Sequence, residues 1–547
     1  MSLLSAVKNN HLRYFLLSLI SAILLIASWQ PFALFPLAFV AFIPLFELEK
    51  QIRQQQVNSK LWLFVYAWFA LITWNAGTVW WIWNASEGGA IAAFFINSAP
   101  LLLPFLLMHS LSRKTGKTEY AVFIGSWICM ELMQFHWDLA FPWLILGNVF
   151  AVFPNAVQWF EYTGVLGGSL WVLLLNKKLY EWLLNKAKLE PVLQRKKLFN
   201  LTFIYLFLPG LLSYLVLQNH RENKQNKKTG TASIVVVQPN IDPYKDKFDG
   251  MSPTEQLEKM IYLAEKKITA KTQFVIFPET ALQGGLNEGD LENEYLIKAC
   301  REFLKRHPGV SLLTGADSYQ TFSKESSKLP ITARFLEKYN LYLDAYNTAL
   351  LIPSNDSIMV YHKNKMVPGV EKMPYPQIFG FLEKIAINLG GTSGSLGSDG
   401  ESKVFKTNQK VDLAPVICYE SVFPDFCTTY INKGTDVICI ITNDGWWGNT
   451  PGYAQHFSYA RLRAIENRRP IARSANTGIS GFIDEEGNIL QSSSWWVEDA
   501  LSEDINLYSK ETVYAQYSSI INIFILFYFI NIIVQVYRAR KMNEFQV

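Results

Sequence analysis

The chain has only five cysteines in 547 residues: Cys129, Cys300, Cys418, Cys427 and Cys439. They form no CxxC pair and fit no zinc-ligand spacing, and five is a poor count for a disulfide framework. Most are expected to be buried as small hydrophobes. The sequence also has no glycine-rich phosphate loop, no repeat of fixed period and no low-complexity tract. The net charge is only +4. Without a basic tail or an arginine-rich helix, that balance gives no reason to propose a nucleic-acid partner. Lysine and arginine are missing from long stretches before residue 220, whereas about 220–515 reads like a soluble protein.

Half of the residues are hydrophobic. Apolar runs lie near 14–28, 34–46, 61–83, 91–112, 119–135, 157–176, 199–218 and 518–537. A helix needs roughly 20 residues to cross the hydrocarbon core. The first two runs are short and are separated by Trp29-Gln30-Pro31, where proline breaks a continuous helix, so a tight hairpin of two spans is expected. No small-x-small cleavage site marks the first run as a signal peptide.

The charged loops set an orientation. Lys8 and Arg13 precede the first span. Lys50, Arg53 and Lys60 follow the second, and Arg113, Lys114 and Lys117 follow the fourth. Seven cations from Lys177 to Lys197 follow the sixth, and Arg538, Arg540 and Lys541 follow the last. The alternate loops 29–33, 84–90 and 136–156 contain neither lysine nor arginine. Positive loops stay in the cytoplasm. The expectation is therefore eight transmembrane helices with both termini inside: a seven-span membrane domain over 1–220, an extracytoplasmic domain over 221–515, and a final span with a short cytoplasmic tail over 516–547. An outer domain has no ready access to ATP or coenzyme A.

After the polar linker 220–232, short apolar runs alternate with helical stretches. Strands are expected at 233–237, 274–277, 311–314, 348–352, 358–362, 414–417, 437–441, 471–474 and 481–483, the last before a turn at Glu485-Glu486-Gly487-Asn488. Helices are expected at 253–270, 292–307 and 453–467. Such alternation argues for a layered α/β or α+β domain.

Three residues fall at strand ends: Glu279, Lys363 and Cys418. Singly, each has a plain explanation: a solvated carboxylate, a core thiol, a surface lysine. Together they make chemical sense. A free cysteine is mostly protonated at neutral pH, with a pKa of about 8.5. A carboxylate can accept that proton, and an ammonium can stabilise the thiolate and a developing oxyanion. His362 and His456 are less favoured alternatives as base.

These segments resemble the nitrilase superfamily of carbon–nitrogen hydrolases, whose signature is a Glu–Lys–Cys triad. Phe277-Pro278-Glu279-Thr280 is similar to its glutamate motif, and Tyr361-His362-Lys363 with Met366-Val367-Pro368 and Glu371 to its lysine motif. Ile417-Cys418-Tyr419-Glu420 is similar to its cysteine motif. The resemblance implies an α-β-β-α sandwich. The chain as a whole resembles the apolipoprotein N-acyltransferase family, through Phe141-Pro142-Trp143-Leu144, Val237-Gln238-Pro239-Asn240-Ile241, Asn443-Asp444-Gly445-Trp446-Trp447-Gly448 and Arg461-x-Arg463-Ala464-x-Glu466. It departs at Lys247-Phe248, where the family often has Lys-Trp, and at Pro368-Gly369-Val370-Glu371, where it often has Pro-Phe-Gly-Glu.

This resemblance implies an enzyme of a bacterial inner membrane. It would move an acyl chain from phospholipid, through a Cys418 thioester, to the amine of a diacylglyceryl-cysteine lipoprotein, with no metal or redox cofactor. Tyr419 would lend its backbone N–H to the oxyanion, and Glu371 and Glu420 would orient Lys363. Trp143, Trp446, Trp447, Phe379 and Phe381 are candidate lipid contacts, with core or interfacial packing as the plain alternative. Cys427 and Cys439 are read as structural. Two competing readings are a membrane-tethered amidase acting on a small C–N bond and a non-catalytic membrane scaffold. The second is disfavoured because no span carries an obvious internal charge pair.

Overall fold

The computed structural model describes residues 3–55, 58–188, 190–223, 227–247, 250–379 and 395–544. The chain divides into two compact units. One comprises Met1–Trp83, Glu87–Gln218 and Tyr517–Val547, and the other Asn84–Ser86 and Asn219–Gln516.

The first unit is helical. Among the described residues five helices are long and apolar enough to cross a membrane: Asn10–Ser28, Ser59–Val79, Glu87–Thr115, Pro191–Glu222 and Val513–Arg538. The first ends just before Trp29-Gln30-Pro31, as the proline requires. The run 34–46 is not a single helix. It forms the 3-10 turn Phe35–Phe39 and then the 12-residue helix Ile43–Gln54, whose Glu47, Glu49, Lys50 and Arg53 make it amphipathic. Tyr120–Met133 has 14 residues. Phe160–Asn185 is broken at Gly164, with φ 60° and ψ −172°.

Leu111, Val122, Ile532 and Val536 form an apolar cluster that ties the last helix to two earlier ones. Gly125 permits this approach, because a Cβ there would lie 2.1 Å from the Tyr528 ring. The interior also holds ionisable side chains. His109, inside Glu87–Thr115, pairs through Nδ1 with Glu49 Oε1 at 2.9 Å, both fully buried. Glu131, inside Tyr120–Met133, accepts from Trp127 Nε1 and Leu146 N. Such groups face the protein interior, where partners satisfy them.

The second unit carries thirteen described strands: β1 Lys227–Gln238, β2 Phe274–Ile276, β3 Leu282–Asn287, β4 Ser311–Ser323, β5 Arg334–Leu336, β6 Leu341–Ile352, β7 Met359–His362, β8 Leu413–Ile417, β9 Val437–Thr442, β10 Ile471–Ala475, β11 Gly481–Ile483, β12 Ile489–Ser492 and β13 Asp499–Tyr508. They make two sheets. One runs β13-β1-β2-β4-β6-β5, with β3 on β4 and β7 on β6. The other runs β12-β11-β10-β9-β8. The pairs β1–β2, β2–β4, β8–β9 and β9–β10 are parallel, whereas β13–β1, β4–β6 and β10–β11 are antiparallel. Parallel pairs are buried on both faces and read as continuous apolar runs, which Phe274–Ile276 and Val437–Thr442 do.

Helices Pro253–Glu265 and Tyr295–Arg306 cover the first sheet. Their Leu257, Met260, Leu296, Cys300 and Phe303 pack on Val235, Val275, Leu312 and Leu350. The first begins with a capping box between Ser252 and Glu255. Helices Pro424–Ile431 and Pro451–Asn467 serve the second sheet. The sheets face each other through β1 and β10, where Ser474 Oγ donates to Val237 O at 2.7 Å. The layers are thus helix, sheet, sheet, helix, as the resemblance implies. The turn at 485–488 is also present: Asp484 N donates to Asn488 O and Gly487 takes φ 82°.

Candidate active site

Glu279, Lys363 and Cys418 come from three strands of the two sheets. Glu279 follows β2 through Phe277 and Pro278. Lys363 directly follows β7, and its N–H donates to Asn347 O at 2.9 Å. Cys418 directly follows β8 and opens the 3-10 turn Cys418–Val422 with φ 50°. That left-handed conformation is costly for a residue with a Cβ, and it persists only where the surroundings enforce it.

The enforcement comes from Glu420, which is fully buried. Its Oε2 accepts from Ile417 N at 2.8 Å. Its Oε1 accepts from Tyr361 Oη and from Asn364 N, both at 2.7 Å. One carboxylate therefore ties the residue before Cys418 to the residues on either side of the Lys363 loop. Tyr430 Oη extends the network by donating to Tyr361 Oη at 2.8 Å. Glu420 touches the strand ends rather than the lysine ammonium. Burial pushes its carboxyl up to about 7, against the hydrogen bonds it accepts.

Glu371 does hold the lysine. Lys363 Nζ donates to Glu371 Oε1 at 2.7 Å and to Glu279 Oε1 at 3.1 Å. Asn347, on β6, donates through Nδ2 to the same two oxygens at 3.0 and 2.9 Å. Asn443 N donates to Glu279 Oε2 at 3.1 Å. Burial alone would raise the Glu279 carboxyl. The Lys363 charge, the Asn347 hydrogen bond and the Lys247 charge outweigh it and hold Glu279 below the usual range. Lys363, whose ammonium burial disfavours, is held well above its usual range by Glu279, Glu371 and Cys418. Burial and then the Glu279 charge push the Cys418 thiol well up, against Lys363. The thiol is thus the favoured form of Cys418, and the carboxylate the favoured form of Glu279. Cys418 keeps partial access to solvent.

Both histidines are held by other partners. His362 Nδ1 meets Asp399 Oδ1 and its Nε2 meets Glu288 Oε1, each at 2.7 Å, with the ring stacked on Tyr346 at 3.9 Å. Burial lowers its affinity for the proton, but the two carboxylates win and raise its pKa to about 9. His456, 1% exposed, lies against Asp444 Oδ1 at 2.9 Å and Ser421 Oγ at 2.9 Å, with the Cys418 carbonyl at 3.3 Å. Arg473 Nη2 donates to Asp444 Oδ2 at 2.6 Å. This chain of contacts braces the backbone of the cysteine turn.

Tyr419 is buried, with its ring edge-on to Phe423. Trp446 and Trp447 are half-buried in the turn Asp444–Trp447, against Tyr244 and His456 respectively. Phe379 ends the short helix Pro376–Phe379. Phe381 and Phe248 lie outside the described residues. Trp143 belongs to the helical unit, buried beside Trp81 and Phe141. Cys427 and Cys439 are free and buried.

Sequence reasoning misses Asn347 and Asp317, because an asparagine in Tyr346-Asn347-Thr348 has no signature of its own, and it meets Lys247 only through the family's Lys-Trp pair. Among the described residues one further group of metal-ligating types gathers, His220, Glu485 and Glu486. Ion pairs already satisfy it: His220 Nε2 to Glu485 at 3.3 Å, and Arg221 to both oxygens of Glu486 at 2.9 and 2.6 Å.

Known proteins match both units. The carbon-nitrogen hydrolase family model matches residues 234–513, just over half of the chain. The model of the apolipoprotein N-acyltransferase N-terminal domain matches residues 21–177. The apolipoprotein N-acyltransferase of Chlorobaculum tepidum is 29% identical over 93% of both chains. That of Geobacter metallireducens is 25% identical over 93% of this chain and 92% of its own. Saccharomyces cerevisiae Nit3, a nitrilase-superfamily protein, aligns over 53% of this chain and 94% of its own with 14% identity and a TM-score of 0.35. The chain belongs to the carbon–nitrogen hydrolase family, and the relatives that it matches over nine-tenths of their length are apolipoprotein N-acyltransferases.

Proposed function

We propose that this protein is an apolipoprotein N-acyltransferase of a bacterial cytoplasmic membrane. It moves an acyl chain from phospholipid to the N-terminal amine of a diacylglyceryl-cysteine lipoprotein. The observation that carries the reading is the convergence of Glu279, Lys363 and Cys418 from three strand ends, with Lys363 Nζ 3.1 Å from Glu279.

The chemistry runs in two halves. Glu279 takes the proton of the Cys418 thiol as sulfur attacks the ester carbonyl. Lys363 and the Tyr419 N–H stabilise the oxyanion. The glycerol oxygen leaves with the proton from Glu279 as lysophospholipid, and a thioester remains. The acceptor amine then attacks that thioester, Glu279 accepts the amine proton, and Cys418 departs as thiolate and recovers a proton. No external energy source enters, since the thioester conserves the acyl-transfer potential. Glu371 holds Lys363, and Trp446, Trp447 and Phe379 are assigned to the acyl chain.

In this reading residues 221–515 are the extracytoplasmic catalytic domain and both termini are cytoplasmic. Eight crossings comprise the five long helices, Tyr120–Met133, Phe160–Asn185 and a return through the broken run 34–46.

Intact-protein mass spectrometry after incubation with phospholipid tests the scheme. Native protein should gain a hydroxylamine-labile acyl mass that Cys418→Ala lacks, and a diacylglyceryl peptide should then discharge it. Folded native protein that never gains the mass with any phospholipid ends the acyltransferase reading.

A further inference from the structure

The two-step scheme leaves Lys247 without a role, yet this lysine is only 3% exposed and points into the same site. It sits between β1 and helix Pro253–Glu265 in a loop fixed at both of its peptide groups. Its N–H donates to Asp242 O at 2.9 Å, and Gln256 Nε2 donates to its carbonyl at 2.9 Å. Gln256 is held in turn by Gln283 Nε2 at 3.0 Å. The ammonium donates to Thr280 Oγ1. Thr280 directly follows Glu279 and takes φ 47°, so the lysine is tethered to the segment that carries the general base.

The charged and titratable groups facing Lys247 come from three elements: Asp317 on β4, Glu279 after β2 and Cys418 after β8. Cys418 in turn faces Glu279, Lys363 and Asp444, with the Tyr419 phenol beside it. A buried ammonium is costly unless compensated. Burial lowers the Lys247 ammonium below the usual lysine range, and Asp317 and Glu279 oppose that effect in part. Burial, and then Glu279, push the Asp317 carboxyl up to about 6, against Lys247.

We propose that Lys247 is a positioning residue for the thiol chemistry: held on Thr280 and shielded from water, its ammonium supplies a second positive charge that favours the thiolate of Cys418. This rests on the acyl-transfer reading only for the identity of the electrophile. Lys363, which also favours the thiolate, is shared with Glu279 and Glu371. Lys247 offsets the remaining negative charge when the Cys418 proton moves to Glu279.

The test follows the rate at which iodoacetamide alkylates Cys418 in the full-length purified protein between pH 6 and 10, located by peptide mass. Lys247→Met should move the midpoint upward and slow alkylation at pH 7 about tenfold, which is one unit of pKa. Lys247→Arg should restore the native profile. A midpoint unmoved in Lys247→Met, with or without an equal loss at every pH, overturns the proposal. If that variant does not fold, Thr280→Ala decides through the lost tether: an upward shift of the midpoint supports the proposal, and an unmoved midpoint overturns it. The two readings fail separately. Native protein never acylated by phospholipid ends the acyltransferase reading while a moved midpoint still upholds Lys247. Acylated native protein with an unmoved midpoint does the reverse.

Discussion

Asn347 Nδ2 and Lys363 Nζ grip the same two carboxylate oxygens, Oε1 of Glu279 and Oε1 of Glu371. The arrangement is a four-membered set of two donors and two acceptors, and it fixes Glu279 relative to Lys363. Removing one neutral donor strips a charge-assisted hydrogen bond from each carboxylate. Hydrogen bonds to charged groups contribute about 1.5–3 kcal/mol. Asn347→Ala should therefore lower kcat on the order of 10–100-fold, with little change in KM for phospholipid. Single-turnover acylation of Cys418 measures it. An unchanged acylation rate would remove Asn347 from the machinery.

The His362 cluster makes stability depend on pH. Its pKa rises from an ordinary 6.5 to about 9, held there by Asp399 and Glu288 against the effect of burial. A raised basic group contributes fully below the unfolded value and loses its contribution as pH rises through the folded one. Asp399 and Glu288, pulled below their usual ranges by His362 despite burial, lose theirs as pH falls through their folded values. The cluster should thus stabilise most between about pH 5 and 6.5 and fade from about 6.5 to 9. His362→Gln should lower Tm at pH 6 by several degrees and flatten the slope of Tm between pH 6.5 and 9. An identical slope in the variant would mean that the imidazole is neutral throughout.

The strand-end positions of Glu279, Lys363 and Cys418 were legible because β2, β7 and β8 are short runs that end at polar residues. What surrounds the triad was not. Strand β13, Asp499–Tyr508, carries Glu503 and Asp504 in an irregular burial pattern, so its pairing with β1 is decided by tertiary contact. Strand β6 extends back to Leu341, through Asp344, where alternation gives little signal. The run 34–46 misleads through composition, because Pro36 and Pro44 divide it into a turn and an amphipathic helix. Glu420 was legible as important by its place beside the cysteine. Its grip on Asn364 is a contact across 56 residues of chain, which no local pattern encodes.

All five cysteines are free thiols, and only Cys418 is more than marginally accessible. Native protein should therefore take up one alkyl group, at Cys418, and denatured unreduced protein should take up five. The other four resist because they are buried away from the reagent, whereas Cys418 is partly exposed. A denatured count of three would reveal a disulfide, with Cys427 and Cys439 the pair to check by peptide mapping.

Gly315 tests how tightly Glu279 is placed. This residue of β4 lies under the base, with its N–H donating to Pro278 O at 3.1 Å. A Cβ there would sit 2.5 Å from Thr280 N and 2.6 Å from Glu279 Cα. Both are backbone atoms, so no side chain can swing aside to make room. Overpacking of this kind costs about 1–3 kcal/mol, which a core of this size tolerates. The segment 278–280 must shift instead, carrying Glu279 away from Lys363 and loosening Thr280 from Lys247. A displacement of about 1 Å in a reacting group costs on the order of 100-fold in rate. Gly315→Ala should fold, with Tm lowered by only a few degrees, yet acylate Cys418 about two orders of magnitude more slowly. Near-native acylation in that variant would show that the base tolerates displacement, and that the close approach of β4 to Glu279 serves packing alone.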